Sequence, residues 1–154
     1  MSIKSTMEES GGGGIGAAAA LPALVAARVA QSPDEVACLH HDGKGWRQST
    51  WRDMAGCAAR FQAALQAEGL KAGDRVGIMA KNGPDWLAFD VAALGLGLVT
   101  VPFYLDDRPD NIAWIASHAD VRLVVVGGPV QVRRLAAAED GLPSVLRIEC
   151  LADC

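Results

Sequence analysis

The chain has 154 residues, 51% of them hydrophobic and 21% charged, and a formal net charge of −4. This is the composition of one globular domain, not of a disordered or fibrous chain. An acidic balance without a lysine/arginine-rich stripe leaves a nucleic-acid role no electrostatic footprint.

In chain order, residues 1–17 read as a Gly/Ala-rich leader without fixed structure, and residues 18–154 as the folded unit. The leader's poly-alanine follows Glu8 and Glu9, which does not suit a secretory signal. Residues 18–31 predict a helix with Leu21, Leu24, Val25 and Val29 near one face, stopped by Ser32-Pro33. Residues 35–41 predict a strand, and 46–49 its hairpin partner across the turn Asp42–Gly45.

Thr50 is placed to cap a helix running to about Glu68, with Asp53 at its third position. Trp51, Met54, Ala58, Phe61 and Leu65 recur at steps of three and four and form its buried stripe. Residues 75–80 predict a strand. Residues 84–97 predict a helix that is apolar nearly all round, hence buried on more than one side. Strand 98–104, helix 109–119, strand 121–126, helix 129–139 and strand 144–150 complete the alternation. Ile112, Ile115 and Ala116 point inward from the helix at 109–119. Strands separated by single helices define an α/β fold, with a mostly parallel sheet flanked by helices and a small N-terminal β-hairpin.

No uncharged run beyond the leader reaches the ~20 residues of a membrane-spanning helix. The longest is 91–105, with Thr100 and Pro102 inside it. Cys38, Cys57, Cys150 and Cys154 lack zinc spacing and read as reduced thiols. The expected location is cytoplasmic, with peripheral attachment at a membrane as the alternative.

Several stretches invite a chemical reading. Gly11, Gly13 and Gly16 match G-x-G-x-x-G, but no strand precedes them, so they read as part of the leader. AKNGPDW, at 80–86, places a lysine, a glycine and a helix start at the end of a strand. A phosphate loop needs its lysine after the glycines, and Pro84 removes an amide where an anion would dock. The stretch therefore reads as a turn with proline at the first helical position. VVVGGPVQ, at 124–131, has neither lysine nor hydroxyl and reads the same way. His40 and His41 are strand neighbours facing opposite sides, and His118 suits a helix C-terminus. Asp106, Asp107 and Asp110 offer paired carboxylates, or simply the negative charge that a helix N-terminus favours.

The ordered set of stretches resembles the N-terminal portion of the adenylate-forming enzymes, the AMP-dependent synthetases and ligases. The run STWRDMAGCAARFQAALQAEGLKAGDRVGIMAKNGPDW is similar to that family's cap, helix, "GD.V" strand and "N.P.W" turn. ALGLGLVTVPFY and DNIAWIASHADVRLVVV are similar to the segments that follow. QVRRLAAAEDGLPSVLRI is most similar to the long-chain fatty-acid–CoA ligase branch. The similarity covers residues 21–148. Two loops depart from it: LDDRPD is more acidic, and VGGPVQ carries glycines where relatives often have an acid.

The resemblance implies an N-terminal part of an AMP-binding domain, truncated before the phosphate loop. In the complete enzyme it implies ATP, Mg2+ and coenzyme A as cofactors and a fatty acid as substrate. A carboxylate would attack the α-phosphate of ATP, and the thiol of coenzyme A would then displace AMP. The family's phosphate loop and catalytic lysine match no position here, so no catalytic, cofactor-binding or metal residue is carried over. Asn82, Pro84, Trp86, Val101, Pro102 and Tyr104 match its pattern in structural roles. The expectation is a fragment that is inactive alone. The alternatives are a non-catalytic module that self-associates or docks onto another protein through exposed apolar surface, and a small free-standing binder of a nucleotide or anion at the helix starts at Gly83 or Gly128.

Overall fold

The computed structural model describes residues 20–138, residue 142 and the backbone of residues 147–150. The leader, with Gly11, Gly13 and Gly16, lies outside the described residues, as do the side chains of Cys150 and Cys154.

The elements run in the expected order: α1 (Leu21–Gln31), β1 (Val36–His41), β2 (Trp46–Thr50), α2 (Trp51–Ala67), β3 (Arg75–Met79) and α3 (Pro84–Gly95). They continue with β4 (Val99–Pro102), α4 (Pro109–His118), β5 (Val121–Val126), α5 (Pro129–Ala136) and β6 (Arg147–Cys150). β1 and β2 pair antiparallel as a separate hairpin. The other four strands form a parallel sheet in the order β4-β3-β5-β6.

The start of α2 is fixed by reciprocal hydrogen bonds. The Asp53 amide donates to the Thr50 hydroxyl at 3.1 Å, and the Thr50 amide donates to the Asp53 carboxylate at 2.9 Å. Two otherwise orphaned amides are thereby satisfied. Thr50→Ala is expected to cost about 1 kcal/mol, read from the midpoint of chemical denaturation.

The Thr50 amide and hydroxyl also hold the Asp53 carboxyl below the usual aspartate range. Arg52 does the same for Asp34, and Arg47, with the amides of Lys44 and Gly45, for Asp42. A carboxyl lowered in the folded state adds stability above its unfolded value, about 3.9, and loses it as pH falls through the folded value. These groups lie at the surface, so the effect is small. Denaturation midpoints should fall below about pH 4, less steeply for Asp53→Asn.

α3 is apolar nearly all round because it lies between α2 and the sheet. Its Ala88 and Ala92 pack with Met54, Cys57 and Ala58 of α2. Its Phe89 and Ala93 pack with Val76, Ile78, Leu123 and Val125 on one sheet face. The opposite face gathers Val124 and Val126 with Phe103, Ile112, Ala116 and Leu135. Strands covered on both faces read as unbroken apolar runs, which is why LVVV shows no alternation.

Several bounds differ from the sequence reading by one to three residues, and two of these bear on the site. α3 ends at Gly95, and Gly97 turns the chain at φ +73°. β4 stops at Pro102, and Tyr104 is exposed rather than part of the strand. The amides of Val99 and Phe103 donate to β3 or its entry, so Pro102 faces the open edge of the sheet, where a missing donor costs nothing.

Cys38 is a free thiol. Cys57 is disulfide-bonded, not reduced. Chain size and apolarity say nothing about which sulfurs packing brings within bonding reach. Among the described residues no helix is long and apolar enough to cross a membrane.

Candidate functional site

The strand order reverses direction between β3 and β5: β4 follows β3 on one side, and β5 and β6 lie on the other. In open α/β sheets, the crevice outside the carboxyl ends of strands at such a reversal is where ligands bind. The two loops singled out in the sequence leave these two strands. They are pinned side by side, because the Gly127 amide donates to Met79 O at 3.0 Å. A Cβ on Gly127 would lie 3.2 Å from both Ala80 Cα and Ala80 Cβ, so glycine permits this approach.

Above the loops is a crevice of about 720 Å³, lined by Lys81, Asn82, Gly83, Gly127 and Gln131 and closed on one side by the hairpin's His40 and His41. A more apolar groove of about 580 Å³ adjoins it over β4, lined by Trp86, Pro102, Phe103, Tyr104 and Leu105.

The chemistry gathered here is sparse. Lys81 is exposed. α3 and α5 each begin with a glycine cap followed by proline, so each has lost its first amide donor. Asp85 occupies the first turn of α3 and complements its dipole already. The Gln131 amide is turned back onto Gly128 O at 3.1 Å. His41 Nδ1 accepts from the Gly43 amide at 3.0 Å, and its ring meets Trp46 edge-on at 5.7 Å, so it serves the hairpin turn. No group of three His, Cys, Asp or Glu side chains able to hold a metal forms among the described residues. Among the described residues the crevice thus offers one exposed lysine and no cluster of metal ligands.

The other candidates also resolve into structure. His40 and His41 both border the crevice despite facing opposite sides of their strand. His118 ends α4 and stacks on Trp114, with ring centroids 4.9 Å apart. Asp106, Asp107 and Asp110 form no acid–base pair. Asp106 is 3.9 Å from Arg134, Asp107 Oδ1 accepts from Asn111 at 2.9 Å, and Asp110 accepts two bonds from Arg108.

The sequence reading missed two arginines. Arg134 donates to Asp107 O at 2.7 Å and holds the acidic loop. Arg75 donates to Ala119 O at 2.7 Å, to Asp120 O at 3.1 Å and to the Asp120 carboxylate. It thereby secures a turn in which Asp120 adopts φ +49°. Both partners are far away in sequence, so no local pattern marks them.

The fold, the order of its elements and the position of this crevice define a class. The chain belongs to the AMP-binding enzyme family, whose model matches residues 25–153. Its relatives include long chain acyl-CoA synthetase 7, peroxisomal, of Arabidopsis thaliana, 31% identical over 78 residues, which are 49% of this chain and 11% of that protein. Sulfoacetate–CoA ligase of Cupriavidus necator is 32% identical over 104 residues, 68% of this chain and 20% of that protein. The anthranilate CoA ligase AuaEII, solved with anthranoyl-AMP, shares the fold with a TM-score of 0.75 at 18% identity, over 82% of this chain and 24% of that one. The chain thus spans a fifth or less of the curated relatives' length.

Proposed function

We propose that this chain is the N-terminal subdomain of an ATP-dependent long-chain fatty-acid–CoA ligase and that it performs no ligation alone. The observation that carries the reading is the family match across residues 25–153, joined to a crevice whose lysine and helix starts offer no phosphate cradle. In the complete enzyme the fatty acid is activated as its adenylate and passed to coenzyme A. The contribution of these residues is mechanical: a sheet packed on both faces that fixes the end of β3 beside the end of β5. Rigid elements hold a reacting constellation more precisely than loops do. The relatives' names span a long-chain acyl group and sulfoacetate, so the fatty-acid assignment leans on the similarity of residues 131–148 to the long-chain branch.

Calorimetric titration of the folded chain with magnesium–ATP tests this reading. It should give only heat of dilution. Saturable one-to-one binding would contradict it.

A further inference from the structure

At the end of β3, Asn82 is followed by Gly83, and the Asn82 side chain makes no hydrogen bond among the described residues. We propose that Asn82 is a self-modification site, where the folded chain converts an amide into a carboxylate through a cyclic imide. The proposal does not depend on the ligase reading.

An asparagine deamidates when the amide nitrogen of the next residue reaches its side-chain carbonyl carbon. Three conditions help: a free side chain, a following nitrogen not engaged in a hydrogen bond, and no side chain on the following residue to block the approach. Asn82 meets all three. It is exposed. Among the described residues neither its side chain nor the Gly83 amide takes part in a hydrogen bond. A Cβ placed on Gly83 would meet nothing closer than Lys81 O at 4.0 Å, so the approach is open. Gly83 caps α3 from outside the helix, with extended backbone at φ 177°, so its nitrogen is not part of the helical ladder.

The same molecule supplies two internal comparisons. Asn111, the only other asparagine, donates from Nδ2 to Asp107 Oδ1 at 2.9 Å, and the Ile112 amide is held by Arg108 O at 3.0 Å. Asp42-Gly43 has the right sequence for the related aspartate rearrangement. There the carboxylate accepts from the Lys44 and Gly45 amides and from Arg47, and the Gly43 amide donates to His41 Nδ1. Both are locked, and Asn82 is not.

In the step itself the Gly83 nitrogen bonds to Asn82 Cγ, the Cγ–Nδ2 bond breaks, and the Gly83 proton leaves with ammonia. Water then opens the imide. Attack at Cγ gives aspartate, and attack at the backbone carbonyl gives isoaspartate. No oxidant or reductant is involved. The product adds one negative charge to the crevice wall that Lys81 also lines, close to the positive end of α3. Isoaspartate also lengthens the main chain at the junction of β3 and α3.

The test is peptide mapping by mass spectrometry of the full chain, shown by circular dichroism to be folded, after days at mildly alkaline pH and physiological temperature. The digest uses a protease that keeps Asn82 inside a peptide, since trypsin would cut at Lys81. Amide-to-acid conversion is expected at Asn82 while Asn111 stays intact, with isoaspartate detected at 82 and not at 42. Gly83→Ala keeps the fold, because its backbone is extended and the space is open, and it should slow conversion to the level of Asn111. An Asn82 as stable as Asn111 in the folded wild type would overturn the proposal. So would a Gly83→Ala chain that converts as fast as wild type.

Discussion

Phe89→Ala is expected to destabilise the chain by about 3–5 kcal/mol, the range for emptying a fully buried aromatic site. Phe89 has no solvent exposure. It sits where α3 meets α2 and one face of the sheet, in the cluster with Val76, Ile78, Leu123 and Val125. Its ring meets Phe61 of α2 edge-on at 5.7 Å, an arrangement worth a further ~0.5–1.5 kcal/mol. Truncation therefore removes contacts to three elements at once, and neighbours on rigid strands cannot collapse into the void. Small domains have about 5–15 kcal/mol in total, so the loss is large. Urea denaturation should show a lower midpoint at unchanged slope. Phe89→Leu, which keeps most of the volume, should lose less. Equal midpoints for Phe89→Ala and wild type would mean that the α2–α3–sheet contact is not the core.

Gly77→Ala is expected to cost about 1–3 kcal/mol by overpacking. A Cβ at this position in β3 would lie 2.5 Å from Phe103 Cε2 and 3.2 Å from Val124 Cγ2. Phe103 is itself 5% exposed and packed among Ile112, Ala116 and Leu135, so its ring has little room to retreat. Gly95→Ala is the control. Its Cβ would also lie 2.5 Å from an atom, but that atom is Gln62 Nε2, the far end of a flexible side chain. In a helix, glycine is roughly 1 kcal/mol worse than alanine, so Gly95→Ala should be neutral or stabilising. A reversed ranking of the two variants in a denaturation series would contradict the packing described for the face of the sheet that holds Phe103.

The element order was legible because each element carries its own local signal. Thr50 and Asp53 announce the start of α2, Pro84 and Pro129 mark first helical positions, and unbroken apolar runs mark strands covered on both faces. The buried stripe of α2 was readable from spacing, although Trp51 and Phe61 are only half-buried. The site was half legible. Both loops stood out in the sequence, but strand order is a tertiary property, and only the order β4-β3-β5-β6 brings them together. The roles of Arg75 and Arg134 were invisible for the same reason: their partners lie 45 and 27 residues away. The disulfide of Cys57 likewise depends on packing, which spacing does not encode.

Fatty-acid-dependent exchange between ATP and pyrophosphate, measured on the folded chain, tests the central claim most directly, because exchange requires a complete adenylation site. The account predicts no exchange above background with any fatty acid tried, in a sample whose denaturation is cooperative. Exchange that depends on both the fatty acid and the folded chain would contradict it, and would place the missing chemistry in the crevice between the hairpin and the ends of β3 and β5.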